Sequence, residues 1–412
     1  MMEVEVISWN LTRACNLSCS HCYLPTADRG EKPAELSTAE CLKVIDQIGE
    51  VASQPVLILT GGEPLLREDI LDIARYAGRK KITLVLGTNG TQIDEPLLSR
   101  LEESGVQGLG ISLDSLRPEV HDSLRGVSGA WQRTMAAVEL ADKKGFPFTI
   151  QTTVLRDNRD ELPALADFSY KAGARVHNIF FLVCTGRGQE MTDISPEDYE
   201  ETLGLIVELE KGFAGRMLIK AKCAPHVNRI RYEKGLWRPE EQKRGCPAGT
   251  GYLRITAEGK VTPCPYIPWE VGDLKKETLS RIWERSSDLK LFRQWNLKGR
   301  CGRCEFISLC GGCRARALAS AGDVLSEDPW CRYEPGRYDK DERLRPGQGS
   351  GLSELSWEVE ARERLKAVPA FVRRMVEKRV EEYARARGFN VVSIEVLGQV
   401  REKYAGSFSK GR

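Results

Sequence analysis

Along the first half of the chain, short apolar runs alternate with stretches in which apolar residues recur every three or four positions. The runs Val4–Trp9, Val56–Leu59, Thr83–Leu86, Leu109–Ser112, Phe148–Val154 and Asn178–Val183 predict strands. The periodic stretches predict helices near Ile70–Ala77, Pro96–Ser104, Ala130–Lys144 and Leu162–Ala172. Ser37 with Glu40 three positions on predicts a capping box that opens the first helix. Repeated strand–helix units imply a parallel sheet with right-handed crossovers. Six such units suit an incomplete barrel better than a closed one of eight, so the expected fold class is α/β, a partial (β/α)6 TIM-like barrel.

The pattern then changes. From about Ile194 to Gly235 the chain reads helical, and from Cys246 to Cys331 it is rich in cysteine and turns. Pro335–Gly351 is charged, with glycine and proline, and reads as a linker. Beyond it Leu365, Val368, Val372, Met375, Val376, Val380 and Tyr383 recur at helical spacing, Gly388 is a helix stop, and a short apolar run, Val391–Val396, follows. The expected organisation is a barrel over residues 1–190, a helical bridge with a cysteine-rich domain over 191–335, a linker over 336–351, and a small helical C-terminal domain over 352–404.

Polar and glycine-rich motifs fall just after the strands: Thr60-Gly61-Gly62-Glu63-Pro64, Thr88-Asn89-Gly90, Ser112-Leu113-Asp114 and Thr185-Gly186-Arg187-Gly188. In parallel α/β folds the strand C-terminal ends form the active-site face, so one sheet can gather all of these at one mouth. The cysteines Cys15, Cys19 and Cys22 follow the first strand and join them there.

Composition narrows the class. The chain has 412 residues, 41% apolar and 29% charged, with a formal net charge of +2. That charge argues for neither nucleic acid nor a membrane surface as partner. No run approaches the length of a membrane span, and the first residues lack a signal-peptide pattern, so a cytoplasmic protein is expected. Thirteen cysteines are many for such a chain, where disulfides are rare. Their clustering points to metal or redox chemistry rather than to scattered small hydrophobes. Cys41 lies in a helical pattern and reads as a buried small hydrophobe, while Cys184, beside the mouth, could be a core or a functional thiol.

Cys15-x3-Cys19-x2-Cys22 presents three thiolates from one loop. A 4Fe–4S cube has four irons, so three ligands leave one iron open to a further molecule. A zinc knuckle or a redox thiol pair is the plainer alternative. The spacing resembles the signature of the radical S-adenosylmethionine (SAM) superfamily, with His21 in its aromatic position, and Gly61-Gly62-Glu63-Pro64 resembles that family's GGEP motif. The resemblance implies that the open iron chelates SAM, which is cleaved to a 5′-deoxyadenosyl radical. It also implies that Gly61, Gly62, Glu63, Pro64, Asn89, Ser112, Asp114 and Arg187 serve the SAM site, with Arg125 a further carboxylate partner. Reduced flavodoxin or ferredoxin is the implied electron donor.

Seven more cysteines follow: Cys246, Cys264, Cys301, Cys304, Cys310, Cys313 and Cys331, with Gly259 five positions before Cys264. By spacing alone, structural zinc remains an alternative here. The order resembles the SPASM extension of radical SAM enzymes, which houses auxiliary iron–sulfur clusters. Here two residues, Gly311-Gly312, stand where that pattern has three. The resemblance implies one cluster on Cys301, Cys304, Cys310 and Cys331, and another on Cys246, Cys264 and Cys313, either completed by Cys223 or open at one iron.

Several strings, among them Phe181–Gly188, Cys223-Ala224-Pro225-His226, Gly311–Ala317 and Glu327–Cys331, resemble the heme synthase of the siroheme-dependent alternative heme pathway and its relatives in heme d1 formation. Trp357–Ala361, Val368–Arg373 and Glu395–Leu397 resemble the small C-terminal domain of light-independent protochlorophyllide reductase. Both imply an iron porphyrin or related tetrapyrrole as substrate, with Arg314 and Arg316 on its propionates and His226 or Cys223 facing its iron. The alternatives are a maturase of a ribosomal peptide, a maturase of a tungsten or molybdenum enzyme cofactor, and a non-catalytic iron–sulfur electron carrier.

Overall fold

A computed structural model describes residues 3–24, 34–52, 54–80, 82–183, 185–190, 194–237, 245–294, 296–338, 341, 344 and 355–403. Cys184 and most of the expected linker lie outside the described residues. Strands β1 (Val6–Thr12), β2 (Val56–Gly61), β3 (Thr83–Thr88), β4 (Gly108–Ser112), β5 (Phe148–Val154) and β6 (Val176–Phe181) pair in chain order, all parallel. Between them run α1 (Thr38–Val51), α2 (Ile70–Gly78), α3 (Glu95–Glu103), α4 (Pro118–Arg125), α5 (Ala130–Lys143) and α6 (Leu162–Lys171). This is the partial barrel expected, and the Ser37–Glu40 capping box opens α1.

Apolar alternation explains the layers. Ile7, Trp9 and Leu11 of β1, Leu57 and Leu59 of β2, and Leu84 and Leu86 of β3 join the helices in one buried core. A parallel sheet needs such cover because its strands are joined by helices that must bury an apolar stripe. The alternate positions, among them Asn10 and Thr60, turn to the other face.

The helical reading of 194–235 is only partly met. Helices α7 (Pro196–Gly212) and α8 (Val227–Glu233) flank a seventh strand, β7 (Leu218–Lys222), which pairs in parallel with β6. Its alternation of Leu218, Lys220 and Lys222 with Ile219 and Ala221 is too short to stand out between two strong helical patterns. On the opposite edge β8 (Tyr252–Ile255) adds to β1 in parallel, and β9 (Lys260–Thr262) and β10 (Gly272–Asp273) follow antiparallel. Among the described residues ten strands therefore form one sheet, in the order β10-β9-β8-β1-β2-β3-β4-β5-β6-β7. The cysteine-rich stretch is thus stitched to the first barrel strand. It also carries α9 (Leu279–Arg285), α10 (Ser287–Arg293), α11 (Gly299–Gly302) and α12 (Arg314–Ala321).

The C-terminal segment holds α13 (Val359–Lys366), α14 (Ala370–Ala386) and α15 (Ile394–Lys403), with a two-strand parallel ladder of β11 (Ser356–Trp357) and β12 (Val391–Val392). Val380, Tyr383, Ala384, Val392, Val396 and Val400 form its own core. The apolar run at 391–396 starts as strand and turns helical at Ile394. Helix α14 also lies against β3. Burial, with Arg231 and Arg379 nearby, holds the Lys220 ammonium down to about 8. Among the described residues no helix is long and apolar enough to cross a membrane.

Candidate active site and metal centres

The loop after β1 carries Cys15, Cys19 and Cys22, and backbone contacts hold it from two sides. On one side the amides of Gly62 and Glu63 donate to the carbonyls of Thr12 and Ala14, each at 2.8 Å. The approach is so close that a Cβ on Gly62 would lie 2.2 Å from Ala14 O, and one on Gly61, whose φ is +146°, would lie 2.4 Å from Thr12 O. Here the double glycine serves strand-to-loop contact, and these two amides are spent on the loop. On the other side the end of α4 docks: Ser18 N donates to Arg125 O and Ser20 N to Leu124 O, both at 3.0 Å. Gly126 adopts φ +68° there, and a Cβ on it would meet Ser18 O at 2.7 Å.

Burial pushes the Cys15 thiol up to about 11, and Cys19, Glu63 and Cys22 add to the rise. Burial also raises Cys22. Buried thiols such as Cys15 and Cys22 resist ionisation unless a cationic centre shares them, and iron supplies that centre. These residues therefore fit a cluster.

Glu63 is fully buried at the head of a short 3-10 turn, Pro64–Leu66. Its carboxylate accepts from Thr88 Oγ1 and Asn89 N at 2.8 Å and from Leu65 N at 3.2 Å, which ties the end of β2 to the end of β3. Burial pushes its pKa up to about 7 against those bonds. Asn89 reaches the cysteine loop, donating to Asn16 Oδ1 at 2.9 Å while accepting from Thr91. Asn16 returns a bond to Thr91 Oγ1 at 2.8 Å. Asn16 and Thr91 were not singled out from the sequence, since single polar residues in turns carry no pattern.

Ser112 ends β4 with its side chain part-exposed. Asp114 is fully buried. One oxygen accepts from Thr153 N at 2.9 Å, and the other lies 2.7 Å from Arg125 and 3.4 Å from His21. Arg125 in turn reaches Cys19 Sγ at 3.8 Å, so it already has a carboxylate partner. Burial, reinforced by Arg125 and Arg187 against the pull of Asp114, holds His21 down to about 4, so the ring is neutral. Arg187 clamps the loop as well: its Nε donates to Cys19 O and its backbone N to Cys22 O, both at 2.9 Å.

The remaining cysteines gather in two groups. Burial raises Cys223, Cys264 and Cys313, and the nearby Cys246 thiolate adds to the rise of each. They pack around one small core with Val183 and Ile267. Among the described residues, Cys223 is the only non-glycine with a left-handed backbone, at φ +55°. Cys301, Cys304, Cys310 and Cys331 line one cavity. Burial pushes Cys304 up to about 12 and Cys331 to about 11. The shortened spacing is resolved by Gly311 and Gly312, at φ +64° and +66°. Two successive left-handed residues turn the chain so that Cys310 enters one group and Cys313 the other. Cys41 is buried in the main core, as read.

The three side chains considered for porphyrin contacts lie in the interior. Arg314 is buried and donates to the carbonyls of Val324 and Ser326 at 2.8 and 2.7 Å. Arg316 is buried and paired with Asp328 at 2.9 and 3.1 Å. His226 is buried against Tyr199 Oη at 2.8 Å, and burial drives its pKa down to about 3. These side chains help to hold the cysteine-rich domain together. A cation that pattern reading passed over lies on β8: Arg254 donates to Asn10 Oδ1 at 2.6 Å and Pro265 O at 3.1 Å and covers Tyr23. Its position between core residues Leu253 and Ile255 places it on the concave face.

Comparison with known proteins agrees with this geometry. The family model described as radical SAM superfamily matches residues 9–169, that of an iron–sulfur cluster-binding domain (SPASM) residues 246–305, and that of the proto-chlorophyllide reductase 57 kD subunit residues 357–401. An AdoMet-dependent heme synthase of Methanosarcina barkeri is 40% identical over 81% of this chain and 97% of its own. One of Nitratidesulfovibrio vulgaris is 37% identical over 81% and 93%. A pre-heme d1 synthase of Dinoroseobacter shibae is 32% identical over 79% and 85%. In fold, Streptococcus suis SuiB bound to S-adenosylmethionine aligns with a TM-score of 0.66 at 18% identity over 81% of this chain and 78% of its own. The iron–sulfur match settles the zinc alternative for the second cysteine region, and relatives that are enzymes at 37–40% identity overturn the electron-carrier reading.

Proposed function

Because the chain belongs to the radical SAM superfamily and carries a SPASM-type iron–sulfur domain, we propose that it oxidatively decarboxylates propionate side chains of iron-coproporphyrin III to the vinyl groups of heme b. The observation that carries this reading is 40% identity to an AdoMet-dependent heme synthase across 97% of that protein. The pre-heme d1 synthase at 32% identity supports a related heme d1 step as the second reading.

When bound, cluster and SAM supply the 5′-deoxyadenosyl radical that starts the chemistry. In the reaction proposed, a hydrogen atom leaves the propionate β-carbon to give 5′-deoxyadenosine, and carbon dioxide and one electron then leave, forming the vinyl group. Cys15, Cys19 and Cys22 hold the first cluster. Gly61, Gly62, Glu63, Pro64, Asn89, Ser112 and Arg187 shape the SAM site, and Asp114 acts behind it as a positioning residue. Cys301, Cys304, Cys310 and Cys331 would hold one auxiliary cluster, and Cys246, Cys264, Cys313 and Cys223 another, which would supply an electron acceptor for the oxidation. Reduced flavodoxin or ferredoxin supplies the starting electron. Arg254 is the cation on the concave face suited to a propionate.

Anaerobic reconstitution followed by SAM, a reductant and iron-coproporphyrin III tests the reading. The expected products are 5′-deoxyadenosine and porphyrins lighter by one and then two units of carbon dioxide plus two hydrogens. An unchanged porphyrin would refute it. Conversion of a heme d1 precursor instead would favour the second reading, and modification of a peptide or of a tungsten or molybdenum cofactor would favour a maturase. Arg254→Gln is expected to raise KM for the porphyrin about tenfold or more, the worth of one charge-assisted hydrogen bond, while SAM binding is unchanged.

A further inference from the structure

The first cysteine loop is backed by a buried cation. The Arg125 side chain is 9% exposed, its Nη1 donates to Cys19 Sγ at 3.8 Å, and its Nη2 lies 2.7 Å from Asp114. Its place is fixed at the backbone too, because Arg125 O accepts Ser18 N from the loop itself. Asp114 is held in turn by Thr153 N at 2.9 Å and, through its carbonyl, by Asn158 at 2.7 Å. Neither group has freedom to swing away.

We propose that Arg125 is a positioning residue that sets the reduction potential of the cluster on Cys15, Cys19 and Cys22, with Asp114 balancing its charge. Adding an electron to an iron–sulfur cluster increases its negative charge, and hydrogen bonds and charges at the sulfurs shift the potential accordingly. A guanidinium at a ligand sulfur in a water-poor site stabilises the reduced state. The carboxylate on its far side offsets part of that field. One arginine and one aspartate thus give opposing adjustments to the most demanding electron transfer in the reaction, the reduction that precedes SAM cleavage.

The inference rests on the assignment of these cysteines to a cluster, which iron analysis and the absorption spectrum of the reconstituted wild type check separately. The test is the midpoint potential of that cluster by EPR-monitored titration of the full chain without SAM. Variants with serine at Cys301 and Cys304, Cys246 and Cys264 simplify the spectrum. Arg125→Met is expected to shift the potential downward, Asp114→Asn upward, and Arg125→Lys by less than Arg125→Met. If Arg125→Met fails to assemble the cluster, the sign of the Asp114→Asn shift still decides. A downward or absent shift in Asp114→Asn, or a wild-type potential in assembled Arg125→Met, overturns the proposal. A merely structural role for the pair would not produce shifts of opposite sign.

Discussion

Glu63 shows how much one residue in a motif can do for its neighbours. Its carboxylate receives donors from β3 and from its own turn, yet burial outweighs them and lifts its pKa to about 7. A carboxyl whose pKa is raised on folding favours the folded state most when protonated. Its contribution is full below the ordinary value of 4.5 and is lost as pH rises through about 7. The slope amounts to about 3 kcal/mol for a rise of this size. Glu63→Gln is expected to flatten it. Urea denaturation of the metal-free chain from about pH 5 to about pH 8 would show wild-type stability falling relative to the variant. Parallel curves would show that Glu63 ionises without penalty.

Elements place what residues only offer. The end of β2 and the end of α4 grip the cysteine loop by backbone hydrogen bonds, and each uses a glycine at the point of contact. Gly62→Ala is expected to prevent assembly of the first cluster, because its Cβ would stand 2.2 Å from Ala14 O with no side chain to move aside. Gly49→Ala, in α1, meets nothing within 4 Å and serves as the control. Iron content and the yield of 5′-deoxyadenosine should collapse in the first and hold in the second. At the same scale β7 and β8 extend the barrel at both edges, through β6 and β1. The strand β8 brings Arg254 and the approach to Cys264 beside the first cysteine loop.

At the scale of the molecule, one large core lies between the sheet and its helices, and smaller cores surround the two later cysteine groups. Those smaller cores contain the thiols themselves, so bound iron would tie their side chains together beyond their apolar contacts. Removing iron with a chelator is therefore expected to raise hydrogen exchange over residues 245–334 well before the parallel strands of the barrel respond. Hydrogen-exchange mass spectrometry checks this, and uniform protection across both regions would contradict it. The C-terminal unit, with its own core, should keep its protection after the metal is gone.

What the sequence determined by itself was whatever is written in local periodicity and spacing. The alternating runs specified β1 to β6, Ser37 and Glu40 specified a helix start, and Cys15-x3-Cys19-x2-Cys22 with Gly61–Pro64 specified the kind of cofactor. The first two rest on contacts between near neighbours, and the cofactor follows from the family that the cysteine loop and Gly61–Pro64 resemble. Only the tertiary structure decided that Cys223 stands with Cys246, Cys264 and Cys313, and that Asp114 pairs with Arg125. It also decided that Arg314, Arg316 and His226 are interior supports. Each of these depends on groups far apart in the chain, as Arg316 and Cys223 O are at 3.1 Å. A buried polar side chain must be satisfied by whatever the fold brings to it, and no local pattern records which partner that will be.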